Sequence, residues 1–275
     1  MSSTPHADPR LERLLDRAEH ALDEGDIDGC IELCRAVLEA APRHTGAIFV
    51  WADALRHQGD LQGAVERYHQ VTAIEPHHSV AWSGRAFCLF DMLSFDQAER
   101  AAQRALREDD RNAEAYAVRA MLRERRLDFD GAHRDYIRAS RLDPDGWPLP
   151  LPLSDGMIEG VVRDTLQSLH PAVRSYLSQV PILLEEVPSA ELCLEFDPPA
   201  PPGEILGVFS GPSLGDGATD AWTMLPPSIM LFRRNLQRVA HDPEQMVEEL
   251  RITVFHEVGH FLGLDEDDLE TRGLE

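Results

Sequence analysis

The chain has 275 residues, enough for two small domains, and 43% of them are hydrophobic, enough to form a core in each. All 26 basic residues are arginines, and they stand against 49 acidic residues, so the formal net charge is -23. This negative charge repels phosphate groups and anionic lipids, which argues against nucleic-acid and membrane partners. The N-terminal sequence lacks the pattern of a signal peptide, and no apolar run approaches the roughly 18 residues of a membrane span. We therefore expect a cytoplasmic protein.

Residues 11–144 repeat with a period of 34. A small residue occupies one fixed position of each unit, and a proline usually occupies another. These two columns are Cys30, Ala64, Ala98 and Ala132, and Pro42, Pro76, Asp110 and Pro144. Small residues let paired antiparallel helices approach closely, and a proline ends each pair. The pattern predicts four helical hairpins, and it resembles the tetratricopeptide repeat.

That resemblance implies a curved solenoid whose first helices line a groove, which in this family commonly binds peptides or proteins. The positions on the inner face are Phe49, Asp53, Arg56, Ser83, Phe87, Phe90, Ala117, Met121 and Glu124. An apolar segment of a protein or peptide partner is expected to bind against Phe49, Phe87, Phe90 and Met121. The alternative, that these side chains pack between the helices, stays open.

Residues 146–154 are rich in proline and predict a linker between a repeat domain at 1–145 and a second domain at 155–275. In the second domain, apolar spacing predicts a helix from Asp155 to Ser178 that Pro171 breaks in two. Alternation and short apolar runs predict strands at 190–196, 205–209 and 228–232. The glycine-rich stretch 211–217 is expected to be an exposed loop.

The last long helix is predicted to begin with Asp242 as its N-cap and Pro243 in its first turn, with Gln245 completing a capping box. It should run to about Leu262, and Gly263 should end it.

This helix contains the sequence His256-Glu257-Val258-Gly259-His260, an HExxH pattern. Residues four apart lie one turn apart on a helix, so both imidazoles face the same side and can bind one Zn²⁺ ion. Glu257 lies about 100° around the helix from His256, where it can hydrogen-bond a water on the metal without being a ligand.

A third ligand is suggested by the extended pattern HExxHxxGxxH, which one zincin clan uses. Its last position is Glu266 here, and Gly263 permits the turn that the pattern requires. Two histidines and one carboxylate suit zinc and leave a position for water. Asp265, one residue away, stays open as an alternative ligand.

Residues 155–275 also resemble the small bacterial minimal zincins, a metallopeptidase-like family. The likeness lies in the helical start, in the segments LGVF and IMLFRRNL, and in TVFHEVGHFLGLDEDDL. Together, the two resemblances imply a multidomain chain in which an all-α solenoid is followed by a small α+β zincin-like domain. The likeness to the minimal zincins also implies a zinc metallopeptidase in which Glu257 is the general base. No methionine follows His260 to form the Met-turn of the larger clan.

Further expectations concern substrate binding and the competing functions. The strand from Ile229 to Phe232 is predicted to be a sheet edge that pairs with an extended substrate. Arg233, Arg234 or Arg238 is a candidate for holding a carboxylate or the oxyanion, with plain solvation as the alternative. The competing function is a non-catalytic repeat scaffold with a metal-binding zincin-like domain; hydrolysis of small amides is a third reading.

Overall fold

The structure is a computed structural model, which describes residues 8–213 and 226–271, apart from the side chains of residues 266, 270 and 271. Most of the predicted glycine-rich loop at 211–217 lies outside these ranges. The chain divides into two compact units, Met1–Trp147 and Pro148–Glu275. Part of the predicted linker belongs to the second unit, because Leu153 is buried in its core and the Leu151 amide donates to the carbonyl of Gln237.

The first unit is an all-helical array in which consecutive helices pair as antiparallel hairpins, as the repeat predicted. The described helices are α1 (Pro9–Asp23), α2 (Ile27–Ala40), α3 (Thr45–His57), α4 (Leu61–Ile74), α5 (Ser79–Asp91), α6 (Phe95–Glu108), α7 (Ala113–Glu124) and α8 (Phe129–Leu142). The second helix of a hairpin begins with a recurring cap. Asp26 accepts a hydrogen bond from the Gly29 amide, and Asp60 and Asp128 do the same one and three repeats later.

The small-residue column lies at the centre of this unit. Cys30, Ala64 and Ala98 have no exposed surface, and Ala132 is 2% exposed, so the paired helices approach closely along it. Cys34, one turn after Cys30, is also fully buried. Burial raises the pKa of the Cys34 thiol to about 12, which suits a packing residue rather than a metal ligand.

The second unit combines helices with a small sheet. Its described elements are α9 (Asp155–Ser168), α10 (Pro171–Leu177), β1 (Ile182–Glu185), α11 (Ala190–Leu194), β2 (Gly207–Ser210), β3 (Ser228–Phe232), α12 (Arg233–Val239), α13 (Pro243–Phe261) and α14 (Glu266–Thr271). The strand order is β1-β3-β2, with β1 parallel and β2 antiparallel to β3. The break at Pro171 is confirmed, since α10 begins there.

Two strand predictions are wrong. Residues 190–194 form helix α11 because the Ser189 hydroxyl caps it, accepting a hydrogen bond from the Leu192 amide. Its alternating pattern is not a sheet face, since the neighbours Leu192 and Cys193 are both buried. Strand β3 is not an edge but the centre of the sheet, which accounts for the complete burial of Ile229.

Helix α13 packs on this sheet and on α9. Leu250, Val254 and Val258 lie along its buried face, in the same core as Ile229 and Leu231. Their spacing of four residues leaves one face of the helix for this core and another for the HExxH side chains.

Candidate metal centre

The helix that carries the HExxH sequence is fixed at both ends. Asp242 caps its start, accepting hydrogen bonds from the Glu244 and Gln245 amides at 2.9 and 2.8 Å. The Gln245 side chain accepts from the His241 amide, one residue before the position expected for a capping box. The C-terminal stop at Gly263 is confirmed, because this residue has a φ of +84°.

The turn after α13 is a Schellman motif. The Gly263 amide donates to the carbonyl of His260, and the Leu264 amide donates to the carbonyl of Gly259, both at 3.0 Å. The same turn orients a candidate ligand, since Nδ1 of His260 lies 3.2 Å from the carbonyl oxygen of Leu264. A carbonyl only accepts, so Nδ1 carries the proton and Nε2 presents a lone pair.

The two histidines converge as their spacing predicted. Nε2 of His256 lies 3.0 Å from Nε2 of His260, and the two rings are nearly perpendicular, at 82°, with centroids 4.6 Å apart. Two imidazole nitrogens that face one point are a donor pair suited to Zn²⁺. The donor set and the orienting contact of His260 therefore fit a zinc ion.

Glu257 lies beside this pair and is 5% exposed. Strand β2 passes directly over it: a Cβ atom on Gly207 would lie 3.2 Å from Oε1 of Glu257 and 2.7 Å from Cγ2 of Thr253. Gly207 is therefore required for the close approach of the strand to the helix. The sequence analysis gave Gly207 no role in the site, and the only signal for it was a glycine inside a predicted strand.

The position of a third ligand depends on the segment after the turn. Among the side chains that the structure describes, no group of three or more His, Cys, Asp or Glu residues is arranged to hold a metal. Glu266 is the first residue of α14, but its side chain is not among those described. Asp265 caps that helix, accepting from the Asp268 amide at 2.9 Å through its side chain and from the Leu269 amide through its carbonyl.

Helix α14 packs against the HExxH sequence itself. Leu269 has no exposed surface, and a Cβ atom on Gly259 would lie 2.3 Å from its Cδ2 atom. The glycine inside the motif thus creates the space that Leu269 fills. This contact holds α14 beside the turn of α13 that carries His256 and His260.

A cavity of about 480 Å³ opens onto the two histidines and Glu257. One wall is α13 and the other is the segment from Glu204 to Phe209, which includes most of β2. Strand β2 pairs with β3 on one side only, so its other edge is unpaired among the described residues.

The three candidate arginines do not line this cavity. Arg233 and Arg234 pair with Glu186, at 3.2 and 2.7 Å, and Arg233 also pairs with Asp155. Arg238 donates to the side chain of Asn235. Neither reading of the sequence is correct for them, since these side chains are neither at the metal centre nor simply solvated.

In the repeat array, two of the four predicted groove residues are core residues. Phe90 and Met121 are 3% and 7% exposed, so packing between helices describes them. Phe49 and Phe87 are half-buried at the edge of that core, and the Arg56 guanidinium lies 4.0 Å over the ring of Phe87.

The polar residues of the predicted inner face are paired with side chains of neighbouring positions outside that set. Arg56 contacts Glu114 at 2.6 Å, and the Ser83 hydroxyl donates to the same carboxylate at 2.7 Å. Burial raises the pKa of Asp53 to about 6, although the Tyr68 hydroxyl donates a hydrogen bond to it. This face is therefore a satisfied polar network rather than an open row of charges.

Two sequence families match separate parts of the chain. Residues 177–274 match the zincin-like metallopeptidase family, and residues 55–122 match a tetratricopeptide-repeat family. The second unit contains a zincin-like metallopeptidase domain. The first is a tetratricopeptide-repeat solenoid, so the predicted fold class is confirmed.

Among curated proteins, none matches this chain. Several solved structures are similar to it. MamA is 19% identical over 57% of this chain and 86% of its own, with a TM-score of 0.41. A thermophilic repeat protein of Thermus thermophilus is 21% identical over 53% and 79%, with a TM-score of 0.44. The repeat domain of Arabidopsis OM64 is 23% identical over 37% and 84%, with a TM-score of 0.35. Likenesses at this level say nothing of what the chain binds.

None of the helices in the described residues is long and apolar enough to cross a membrane. The cytoplasmic location expected from the sequence stays a prediction.

Proposed function

We propose that the chain is a zinc-dependent metallopeptidase and that His256, His260 and Glu266 hold the metal. The observation that carries this proposal is the convergence of the two Nε2 atoms, 3.0 Å apart, together with the contact from Nδ1 of His260 to a backbone carbonyl. The match of residues 177–274 to the zincin-like metallopeptidase family also supports the proposal. The capping role of Asp265 favours Glu266 as the third ligand, because the Asp265 carboxylate is already engaged with an amide of α14.

When bound, zinc supplies an electrophile that polarises a carbonyl group and acidifies a water molecule. Glu257 would take a proton at its carboxylate from the attacking water and pass it to the leaving amine. Its burial suits this role, because a carboxylate shielded from bulk water interacts more strongly with nearby protons and charges. Gly207 allows the backbone of β2 to lie against Glu257, because it has no side chain to collide with this carboxylate.

Strand β2 replaces β3 as the element proposed to bind an extended substrate. Its outer edge is unpaired among the described residues, and it forms a wall of the cavity beside Glu257. A peptide that adds to this edge as a further strand would run along the cavity, with its scissile bond next to the two histidines.

The repeat array is proposed to bind a protein that is either the substrate or a regulator. The support is the family match, since tetratricopeptide repeats typically mediate protein interactions. Phe49 and Phe87 are the predicted groove residues that keep exposed surface for such contacts. The scaffold alternative gives no role to a buried Glu257 beside the histidine pair, since a purely structural zinc site needs no base.

Elemental analysis of the full chain tests the metal centre. About one zinc per chain is expected, lost in His256→Ala, His260→Ala and Glu266→Ala. Asp265→Asn is the matched control, because asparagine also caps helices and should leave zinc bound. Glu257→Gln should keep zinc and lose peptide hydrolysis. Full zinc content in Glu266→Ala would reject that ligand, and hydrolysis by the Glu257→Gln variant would reject the mechanism.

A further inference from the structure

The cavity beside the histidine pair is lined by both charged and apolar side chains. Besides His256, Glu257 and His260, the lining includes two further carboxylates, Glu204 and Glu249. The apolar side chains of the lining include Phe196, Ile205, Val208 and Ile252.

Each wall carries an acidic residue away from the histidine pair. Glu249 precedes His256 by seven residues on α13, so it lies roughly 10 Å along the helix axis from that histidine. On the opposite wall, β2 runs in the same direction as α13, because Gly207 lies against Glu257 and the ring of Phe209 contacts that of Phe261. Glu204, three residues before Gly207, therefore lies toward the part of the cavity where Glu249 lies.

Within the part of the chain that the structure describes, neither carboxylate is paired with a positively charged side chain. Among the described residues, no ion pair and no side-chain hydrogen bond engages Glu204 or Glu249, and none of those that line the cavity is an arginine. Glu204 is exposed and Glu249 is half-buried. Residues 146–275 as a whole carry 7 arginines against 22 acids, so the surrounding field also favours a cation.

We propose that this cavity selects peptides with an arginine or lysine next to the scissile bond, whose cationic group pairs with Glu204 and Glu249. This inference rests on the proposed peptidase function and specifies its substrate class. Arginine and lysine combine an apolar stem with a charged end, which matches apolar walls that lead to carboxylates at the solvent-exposed end. An acidic side chain in the same place would meet two like charges.

The test uses zinc-loaded full-length protein and internally quenched peptides in which one arginine is moved stepwise along a neutral sequence. Each peptide has a partner with citrulline, which keeps the shape of arginine and removes its charge. The arginine peptide should be cleaved with a kcat/KM at least about tenfold higher when the residue flanks the cleaved bond, as expected for a charge-assisted hydrogen bond. The preference should weaken at high salt, because the carboxylates are accessible to solvent.

Glu204→Gln and Glu249→Gln together should abolish this preference while cleavage of the citrulline peptide continues. Glu248→Gln is the matched control: this residue neighbours Glu249 on α13, is 59% exposed at its side chain and does not line the cavity. It should leave the preference unchanged. Glu249→Arg should shift the preference toward a glutamate peptide.

The outcomes separate this inference from the proposed function. Equal cleavage of arginine and citrulline peptides overturns the substrate class and leaves the peptidase intact. If no peptide is cleaved, the proposed function fails, and the affinity of the same peptides for the zinc-loaded chain decides the inference. Tighter binding of the arginine peptide, lost in the double glutamine variant, would sustain the cationic site; equal affinities would overturn it.

Discussion

Gly259 offers a direct test of how α14 is held against the metal-binding helix. Alanine at this position favours the helix by about 1 kcal/mol over glycine. Its methyl group, however, would lie 2.3 Å from Cδ2 of Leu269, which has no exposed surface. Forcing a methyl group into closed packing costs about 1–3 kcal/mol. We therefore expect Gly259→Ala to destabilise the second unit by about 1 kcal/mol and to displace Leu269.

Combining Gly259→Ala with Leu269→Ala gives a double-mutant cycle that tests this contact. Leu269→Ala empties a fully buried site and should cost about 2–5 kcal/mol by itself. In the double variant, the new methyl group at 259 fills part of the space that Leu269 leaves. The double variant should therefore be more stable than the sum of the single effects by about 1–2 kcal/mol.

Urea unfolding of the full chain measures these differences in stability. The transition of the second unit is the one that moves to a higher urea concentration when zinc is added, because a ligand stabilises the unit that binds it. Zinc affinity, measured by competition with a chelator, should fall about tenfold or more in Gly259→Ala, as α14 carries the proposed third ligand. Gly160→Ala is the matched control. Its new methyl group would come no closer than 3.7 Å to Arg163, so it should stabilise the chain by up to about 1 kcal/mol. Additive effects, or an unchanged zinc affinity, would refute the packing argument.

Three other predictions concern separate parts of the chain. Gly207→Ala should lower kcat about tenfold or more while zinc stays bound, because the new methyl group would move Glu257. Gly203→Ala is the control and should not lower kcat, since no atom lies within 4 Å of its new Cβ. Steady-state kinetics and metal analysis of both variants test this. Because the pKa of Asp53 is raised to about 6, its protonated form favours folding, and this contribution is present below pH 4 and lost as the pH rises through 6. Asp53→Asn should remove this dependence and stabilise the repeat unit at pH 7 by about 2 kcal/mol in urea titrations, and a variant as pH-dependent as the parent chain would contradict it. Cys34, with its pKa raised to about 12, should react with a thiol reagent only after urea unfolding, and rapid labelling of the folded chain would count against its burial.

The features that the sequence predicted correctly depend on local spacing. The period of 34 residues specifies helix pairs because each pair is held mainly by its own and neighbouring residues. The bounds of α13 follow from Asp242, Pro243 and Gly263, which act within one turn of the helix ends. The convergence of His256 and His260 follows from their separation by one helical turn.

The features that only the tertiary structure decided depend on contacts between distant residues. Whether β2 or β3 is an edge depends on which strands pair, and both are short apolar runs with no local mark of their position. Glu186, nearly 50 residues before Arg234, removes that arginine from the candidate site. Gly207 and Leu269 acquire their roles only when the chain folds back onto α13, because close packing, unlike helix periodicity, is defined by neighbours in space rather than in sequence.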